Sequence, residues 1–448
     1  MLLRADYVLP ISSTAIFDGA VVVRDGEIKE VGPTADVKAH YPNEEVKDLG
    51  EAVLMPGLVD LHTHLENAAL RGVQHDVPYA EWSTNKYYQA DRLDAQDWLD
   101  SALVGGLQTL ANGVTTVADV SINGSALNTA IRLGLRSVIY REVGAMDKSR
   151  IEHAMNAVDA EISDWREKAA GTLTQIGIAP AHHFECHPEV MRQVAKYATR
   201  ENLPIAMHLA GSREEVAFVK YGSSLFAVNR AKRGFVEVPP WLPTGVSPIK
   251  YALNWDAFEA PNVMVIHGVH VDEADIKTLK KYDVAICTTP RSNAQLGMGV
   301  PPINEYLKAG IRIGFGTDSP AATDSADLLN EMRLGMLITR ATDKDFFPSK
   351  QALRMATLGA AEALRMDDQI GSLEAGKRAD IIAIDLSGSH QTPTKHPSAA
   401  VAHACSGRDV VMTMIDGKIL YDHGWMESGI SPEESYAITD RIHAKLRA

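Results

Sequence analysis

Two histidines stand one residue apart in LVDLHTHLEN, His62 and His64, at the end of an apolar run. On an extended chain alternate side chains share a face, so both imidazoles point the same way and can share one metal ion. Three further groups end similar runs: His208 in PIAMHLA, His267 in VMVIHGV and Asp318 in IRIGFGTDS. A lone histidine at a strand end is most often a hydrogen-bonded structural residue. Structural histidines have no reason to recur at the same end of several strands, and their recurrence here points to a metal or acid–base centre.

That centre requires elements that bring the five groups together. Eight short β-branched runs, VLMPGLVDLHTH, TTVADV, RSVIYREV, TQIGIAPA, PIAMHLA, VMVIHGV, VAICTTP and IRIGFGTDS, are each separated by enough chain for a helix. The clearest helical periodicity lies in residues 94–112, 149–170, 187–202, 272–282 and 325–343. This alternation predicts an α/β fold, a (β/α)8 TIM barrel over residues 56–369, with chemistry at the C-terminal ends of its strands. Near each chain end, in GAVVVRDGEIKEVG and VVMTMIDGKILYDHG, an Asp-Gly separates two apolar runs, which predicts hairpins. Residues 1–55 and 370–448 are therefore expected to build one small β-sandwich from both ends of the chain.

Composition narrows the function. Asp and Glu number 58 against 44 Lys and Arg, and a net charge of −14 leaves no phosphate-neutralising surface, so nucleic acid is not an expected partner. The three cysteines, Cys186, Cys287 and Cys405, are far apart and without CxxC spacing, which disfavours a disulfide framework or a thiolate metal site. The apolar start is broken by Arg4, Asp6 and Pro10, and no run reaches bilayer length. A cytoplasmic protein without membrane association is expected, as a monomer or a homo-oligomer.

PGLVDLHTHLENAALRG, HLAGSREEV, HGVHVDE, PRSNAQLGMGVPPI and GTDSPAATDSADLLNEMR together resemble the amidohydrolase superfamily, in its branch of methylthioadenosine/S-adenosylhomocysteine deaminases, aminofutalosine deaminases and triazine hydrolases. The resemblance spans nearly the whole chain. It implies that His62, His64, His208 and Asp318 bind one divalent metal ion, Zn or alternatively Fe, with His267 beside the attacking water or the substrate. Such a cation lowers the pKa of water toward neutrality, and Asp318 can accept the proton released. Relatives with two metals bridge them through a lysine on the fourth strand; TQIGIAPAHHFE has none, so one metal is expected.

Three positions depart from the pattern of the deaminases. Gly211 stands where a proton-shuttling glutamate follows the fifth-strand histidine; Pro180-Ala181 replaces Pro-His, the histidines following at His182 and His183; and Ala90 stands where nucleoside deaminases place a ribose-gripping glutamate. Glu185 is the expected replacement for the shuttle, whereas Glu214 and Glu215 are expected to be solvated in a first helical turn. Candidate substrate contacts are Trp82, Arg141, His182, His183 and Asn293, with residues 222–255 forming part of the pocket wall. The expected function is hydrolysis of a C–N bond of a small heterocycle, releasing ammonia from a purine-like or nucleoside-like ring. Two alternatives stay open: removal of chloride or alkylamine from a triazine-like ring, and a metal- and ligand-binding relative without turnover.

Overall fold

The computed structural model describes residues 1–235, 238–239 and 242–447; the side chains of 85–90, and with them the comparison at Ala90, lie outside the described residues. All eight expected barrel strands are present: Leu58–Thr63, Val114–Ser121, Arg136–Val143, Thr174–Pro180, Ile205–Leu209, Val263–His267, Ala285–Thr288 and Ile313–Phe315. They pair in sequence order as a parallel sheet. An isolated bridge between Thr63 and Asp318 brings the first strand to the last and nearly closes the barrel. The five helical segments read from periodicity form as Ala95–Ala111, Ile151–Ala169, Glu189–Glu201, Glu273–Lys281 and Leu328–Thr342.

Alternation fills the barrel. Ala206, Met264, Ile266, Ala285 and Cys287 join Ala118, Val120, Val138 and Tyr140 in one buried cluster. His208 lies two residues beyond Ala206 on its strand and so shares that inward face. Above this apolar plug, side chains at the strands' C-terminal ends meet one another rather than solvent.

The chain ends form one continuous nine-stranded sheet, in which Ala52–Pro56 pairs antiparallel with Ile381–Asp385. The hydrogen-bonded path through these strands from both chain ends is unbroken. Bulges at Val22/Val23, Ala383/Ile384 and Thr413/Met414 bend it. Leu3, Val21 and Ile28 from one half thereby share a core with Ile381, Met412 and Met414 from the other. Both Asp-Gly hairpins form, with left-handed backbone at Asp25 and Gly26 (φ 54° and 74°) and at Asp416 and Gly417 (52° and 79°). The two tips touch: a Cβ on Gly417 would fall 2.8 Å from the Cα of Gly26.

A buried ion pair joins this sheet to the barrel. Arg136, at the start of the third barrel strand, donates from Nε and Nη2 to both oxygens of Asp380 at 2.7 and 3.0 Å, and the Asp416 amide donates to the same carboxylate. Further along, the C-terminal helix Pro432–Arg447 returns to the barrel, where Arg441 and Lys445 both reach the buried carboxylate of Asp97. Removing one partner of a buried pair strands the other charge at a cost of about 3–5 kcal/mol. Arg136→Met should destabilise the protein by about that much in a denaturation experiment, and adding Asp380→Asn should recover part of the loss.

Candidate active site

Five groups converge at the mouth of the barrel. The ligand atoms of His62, His64 and His208 all lie within 4.8 Å of one another, and all three side chains are buried. His62 Nε2 stands 3.1 Å from His208 Nε2 and 3.4 Å from Asp318 Oδ1. The His267 ring is centred 5.6 Å from that of His208.

The backbone explains how two of these groups arrive. His267 follows Ile266, which belongs to the barrel's interior cluster, so regular alternation would turn His267 away from the mouth. Left-handed backbone at His267 (φ 75°) and Asp318 (φ 59°) interrupts that alternation. Such conformations in residues other than glycine cost on the order of 1–3 kcal/mol and persist where surrounding contacts impose them.

Those contacts are present. His64 Nδ1 donates to the Val120 carbonyl at 2.9 Å, which directs the Nε2 lone pair inward. His267 Nδ1 lies 2.9 Å from Thr289 Oγ1 and 3.1 Å from Asn293 Oδ1. A carboxamide oxygen only accepts, so Nδ1 carries the proton and Nε2 keeps its lone pair. Asp318 accepts from Ser292 Oγ and, at 2.6 Å, from the Ser319 amide. Burial and the neighbouring imidazoles hold His208 well below the usual histidine range, and burial pushes His267 down to about 4. Burial opposes ionisation of Asp318, but the hydrogen bond and charge interaction with His62 outweigh it and hold the carboxyl well below its usual range. Three imidazoles beside a carboxylate form a donor set that a divalent cation takes, and the residues present fit one.

Gly211 faces this centre. A Cβ built there would lie 3.1 Å from His267 Cδ2 and 2.8 Å from Met298 Cε. The Met298 methyl therefore occupies the place a side chain at 211 would need. Glu215, expected to be solvated, is buried instead: its carboxylate accepts from the amides of Ala210 and Gly211, the latter at 2.7 Å, while Ser212 caps the helix Arg213–Tyr221. Burial pushes the Glu215 carboxyl up to about 7. Helix position alone suggested solvent, and the apolar surroundings of the strand end prevail.

The other candidates divide. His182 lies beside the centre, its ring 4.3 Å from that of His208 and its Nδ1 3.5 Å from Tyr79 Oη. His183 points away into a pocket with Phe218 and Tyr251, and burial pushes it down to about 3. Asn293 is fully buried behind His267. Trp82 is buried against Tyr79. Arg141 and Glu185 line a separate cavity of about 810 Å³ that none of the five central groups lines. Arg141 pairs there with Glu161 and the Glu142 carbonyl. Part of the expected wall, residues 236, 237, 240 and 241, lies outside the described residues, while Phe226, Asn229 and Arg230 line that cavity. Sequence reasoning missed Tyr79, whose ring is centred 6.4 Å from that of His267, as well as Ser292, Thr289 and Met298. Ser292 and Met298 sit in the quoted PRSNAQLGMGV segment and Thr289 just before it, at the end of VAICTTP, so a signal was present at neighbouring residues.

Comparison with known proteins agrees with this geometry. Residues 53–420 match the amidohydrolase family, and a short N-terminal part, 19–43, matches a bacterial imidazolonepropionase-like composite domain. A 5-methylthioadenosine/S-adenosylhomocysteine deaminase of Moorella thermoacetica is 31% identical over 453 residues, covering 99% of each chain. Among solved structures, an adenosine deaminase from Xanthomonas campestris with bound zinc superposes with a TM-score of 0.85 at 23% identity, over 100% of this chain and 98% of that one. Zinc-bound atrazine chlorohydrolase from Arthrobacter aurescens superposes at 0.81 with 21% identity, over 99% of both chains. The chain belongs to the amidohydrolase family and is an enzyme of it, a hydrolase acting on a heterocycle. Among the described residues no helix is long and apolar enough to cross a membrane.

Two measurements follow from the geometry. His62→Ala and His208→Ala should each reduce bound metal from about one equivalent to near zero, because each removes a ligand from the cluster; elemental analysis reads this directly. Gly211→Ala should retain the metal yet lower kcat/KM about tenfold, roughly 1.4 kcal/mol of barrier, since the His267 ring is pinned by Thr289 and Asn293 and cannot move aside.

Proposed function

We propose that this enzyme is a mononuclear zinc aminohydrolase that removes the ring amine of an adenine nucleoside thioether. The observation that carries the proposal is the end-to-end identity to curated 5-methylthioadenosine/S-adenosylhomocysteine deaminases, 31% over 99% of both chains in one case. Supporting it, the donor set of three imidazoles and one carboxylate suits zinc, and the similar adenosine deaminase structure contains zinc.

His62, His64, His208 and Asp318 would hold the cation, which when bound lowers the pKa of water toward neutrality and polarises the ring carbon under attack. Deamination adds a water oxygen to the carbon bearing the amine, delivers one proton to the adjacent ring nitrogen and one to the leaving nitrogen, and releases ammonia. Asp318 takes the water's proton: its carboxylate is ionised and aimed by Ser292 and the Ser319 amide. His267, kept neutral by burial and fixed at Nδ1, presents a hydrogen-bond acceptor on Nε2 where a proton or ring substituent passes. Tyr79 and His182 bound the same space from the helix Tyr79–Ala90 and from the fourth strand's exit. With glycine at 211, proton return to the leaving amine falls to Asp318 and His267. Glu185 remains the alternative donor only for a substrate that extends into the neighbouring cavity it lines.

The absence of a side chain at 211 also favours a second reading, hydrolysis of a ring substituent that departs as an anion and needs no protonation. Ammonia release from methylthioadenosine, S-adenosylhomocysteine, adenosine, guanine and an aminotriazine, assayed beside chloride release from a chlorotriazine, separates the two. Ammonia from the adenine thioethers is expected; chloride release alone would establish the second reading. Asp318→Asn should keep much of the metal, since an amide oxygen still coordinates, and lose at least 100-fold in kcat for want of a proton acceptor, at the low end of the roughly 10²–10⁴ that such groups contribute.

A further inference from the structure

The turn that ends the fifth barrel strand is held by one side chain. Glu215 accepts from the amides of Ala210 and Gly211, the latter at 2.7 Å, and is only 3% exposed. Ser212 already caps the helix Arg213–Tyr221, so the helix does not need this carboxylate. Nor does a cation compensate it. Among the described residues no Lys or Arg pairs with Glu215; His183 Nε2 stands 3.6 Å away, and burial keeps that ring neutral. A buried carboxylate held by backbone amides alone is costly, and stability does not account for it.

An account follows from what lies across the same two peptides. The Leu209 carbonyl, on the peptide that carries the Ala210 N–H, accepts from the Gly268 amide at 3.2 Å. The Ala210 carbonyl, on the peptide that carries the Gly211 N–H, accepts from the amides of Val269 and His270 at 2.9 and 2.8 Å. Each peptide is thus a relay, with Glu215 on one side and the turn after His267 on the other. Hydrogen bonds in such chains polarise one another, and an ionised acceptor strengthens them. Both turns carry left-handed backbone, at Ala210 (φ 55°) and His267 (φ 75°), which surrounding contacts must impose. Tyr306 Oη fixes the far side, donating to the Gly268 carbonyl at 2.6 Å.

We infer that Glu215 is a positioning residue: through the peptides of Ala210 and Gly211 it couples the turn after His208 to the turn of His267, and so sets both imidazoles at one height in the barrel mouth. It acts through these histidines alone. The inference depends on the geometry of the site, and rests on the adenine-thioether reading only for the choice of assay substrate.

Glu215→Gln tests it, because glutamine keeps the volume and one acceptor oxygen but turns an N–H donor toward the other peptide. Zinc affinity, measured against a competing chelator, should fall about tenfold, and kcat per bound zinc for methylthioadenosine about tenfold with KM within about twofold, as when a partner that orients a metal-site histidine is removed. The apo melting temperature should stay near the wild-type value. Glu215→Ala should lose about 100-fold in both zinc affinity and kcat, and where it does not fold the glutamine variant carries the test. Zinc affinity and kcat both within about twofold of wild type, a change in one without the other, or a loss carried by KM, overturns the proposal. So does a glutamine variant with a clearly lowered apo melting temperature, since Glu215 then serves folding. If wild type leaves methylthioadenosine and S-adenosylhomocysteine unchanged, the adenine-thioether reading fails, and zinc affinity alone decides for Glu215.

Discussion

The seam where the first barrel strand meets the eighth is the constraint on which this site depends. The Asp318 amide donates to the His62 carbonyl at 2.8 Å. Just below, the buried Asp60 carboxylate accepts from the His62 amide, the Thr317 amide and the Thr317 hydroxyl. Burial pushes that carboxyl up to about 6, against three hydrogen bonds that favour its ionised form. A single side chain therefore fixes both strands at the height where His62 and Asp318 face each other. Without that register the three histidines could still cluster, but the carboxylate would not reach them.

The aromatic layer around the centre gives the site its shape. Tyr79, His182, Phe184 and Phe226 form a run of ring contacts from His267 and His208 to the neighbouring cavity. Rings bury large apolar area with few rotatable bonds, so this wall is pre-organised for a planar ligand. Gly211 belongs to the same logic. Its missing Cβ leaves room for the Met298 methyl, so an apolar group takes the position at which a carboxylate would supply a proton.

Much of this was legible in the sequence because two simple periods carried it. Strand alternation and the helical repeat placed all eight barrel strands and the five strongest helices, and the strand ends then brought His62, His64, His208, His267 and Asp318 together. What escaped has physical causes. The left-handed backbone at His267 and Asp318 breaks the alternation, so their arrival follows from tertiary contacts that no local pattern displays. Glu215 occupies a first-turn position that ordinarily faces water, and only the fold reveals the two strand-end amides it satisfies. Asn293 was singled out for the substrate, while the structure sets it behind His267. The bulges in the sheet built from both chain ends leave little trace in composition and were not legible.

The central claim is that closure of the barrel builds a single four-ligand cation site at this seam. Anomalous diffraction from crystals of the purified protein, recorded on both sides of the zinc absorption edge, tests it most directly. The account predicts one strong peak per chain, within coordination distance of nitrogen atoms of His62, His64 and His208 and an oxygen of Asp318. A peak held without Asp318, or two peaks at the barrel mouth, would contradict it.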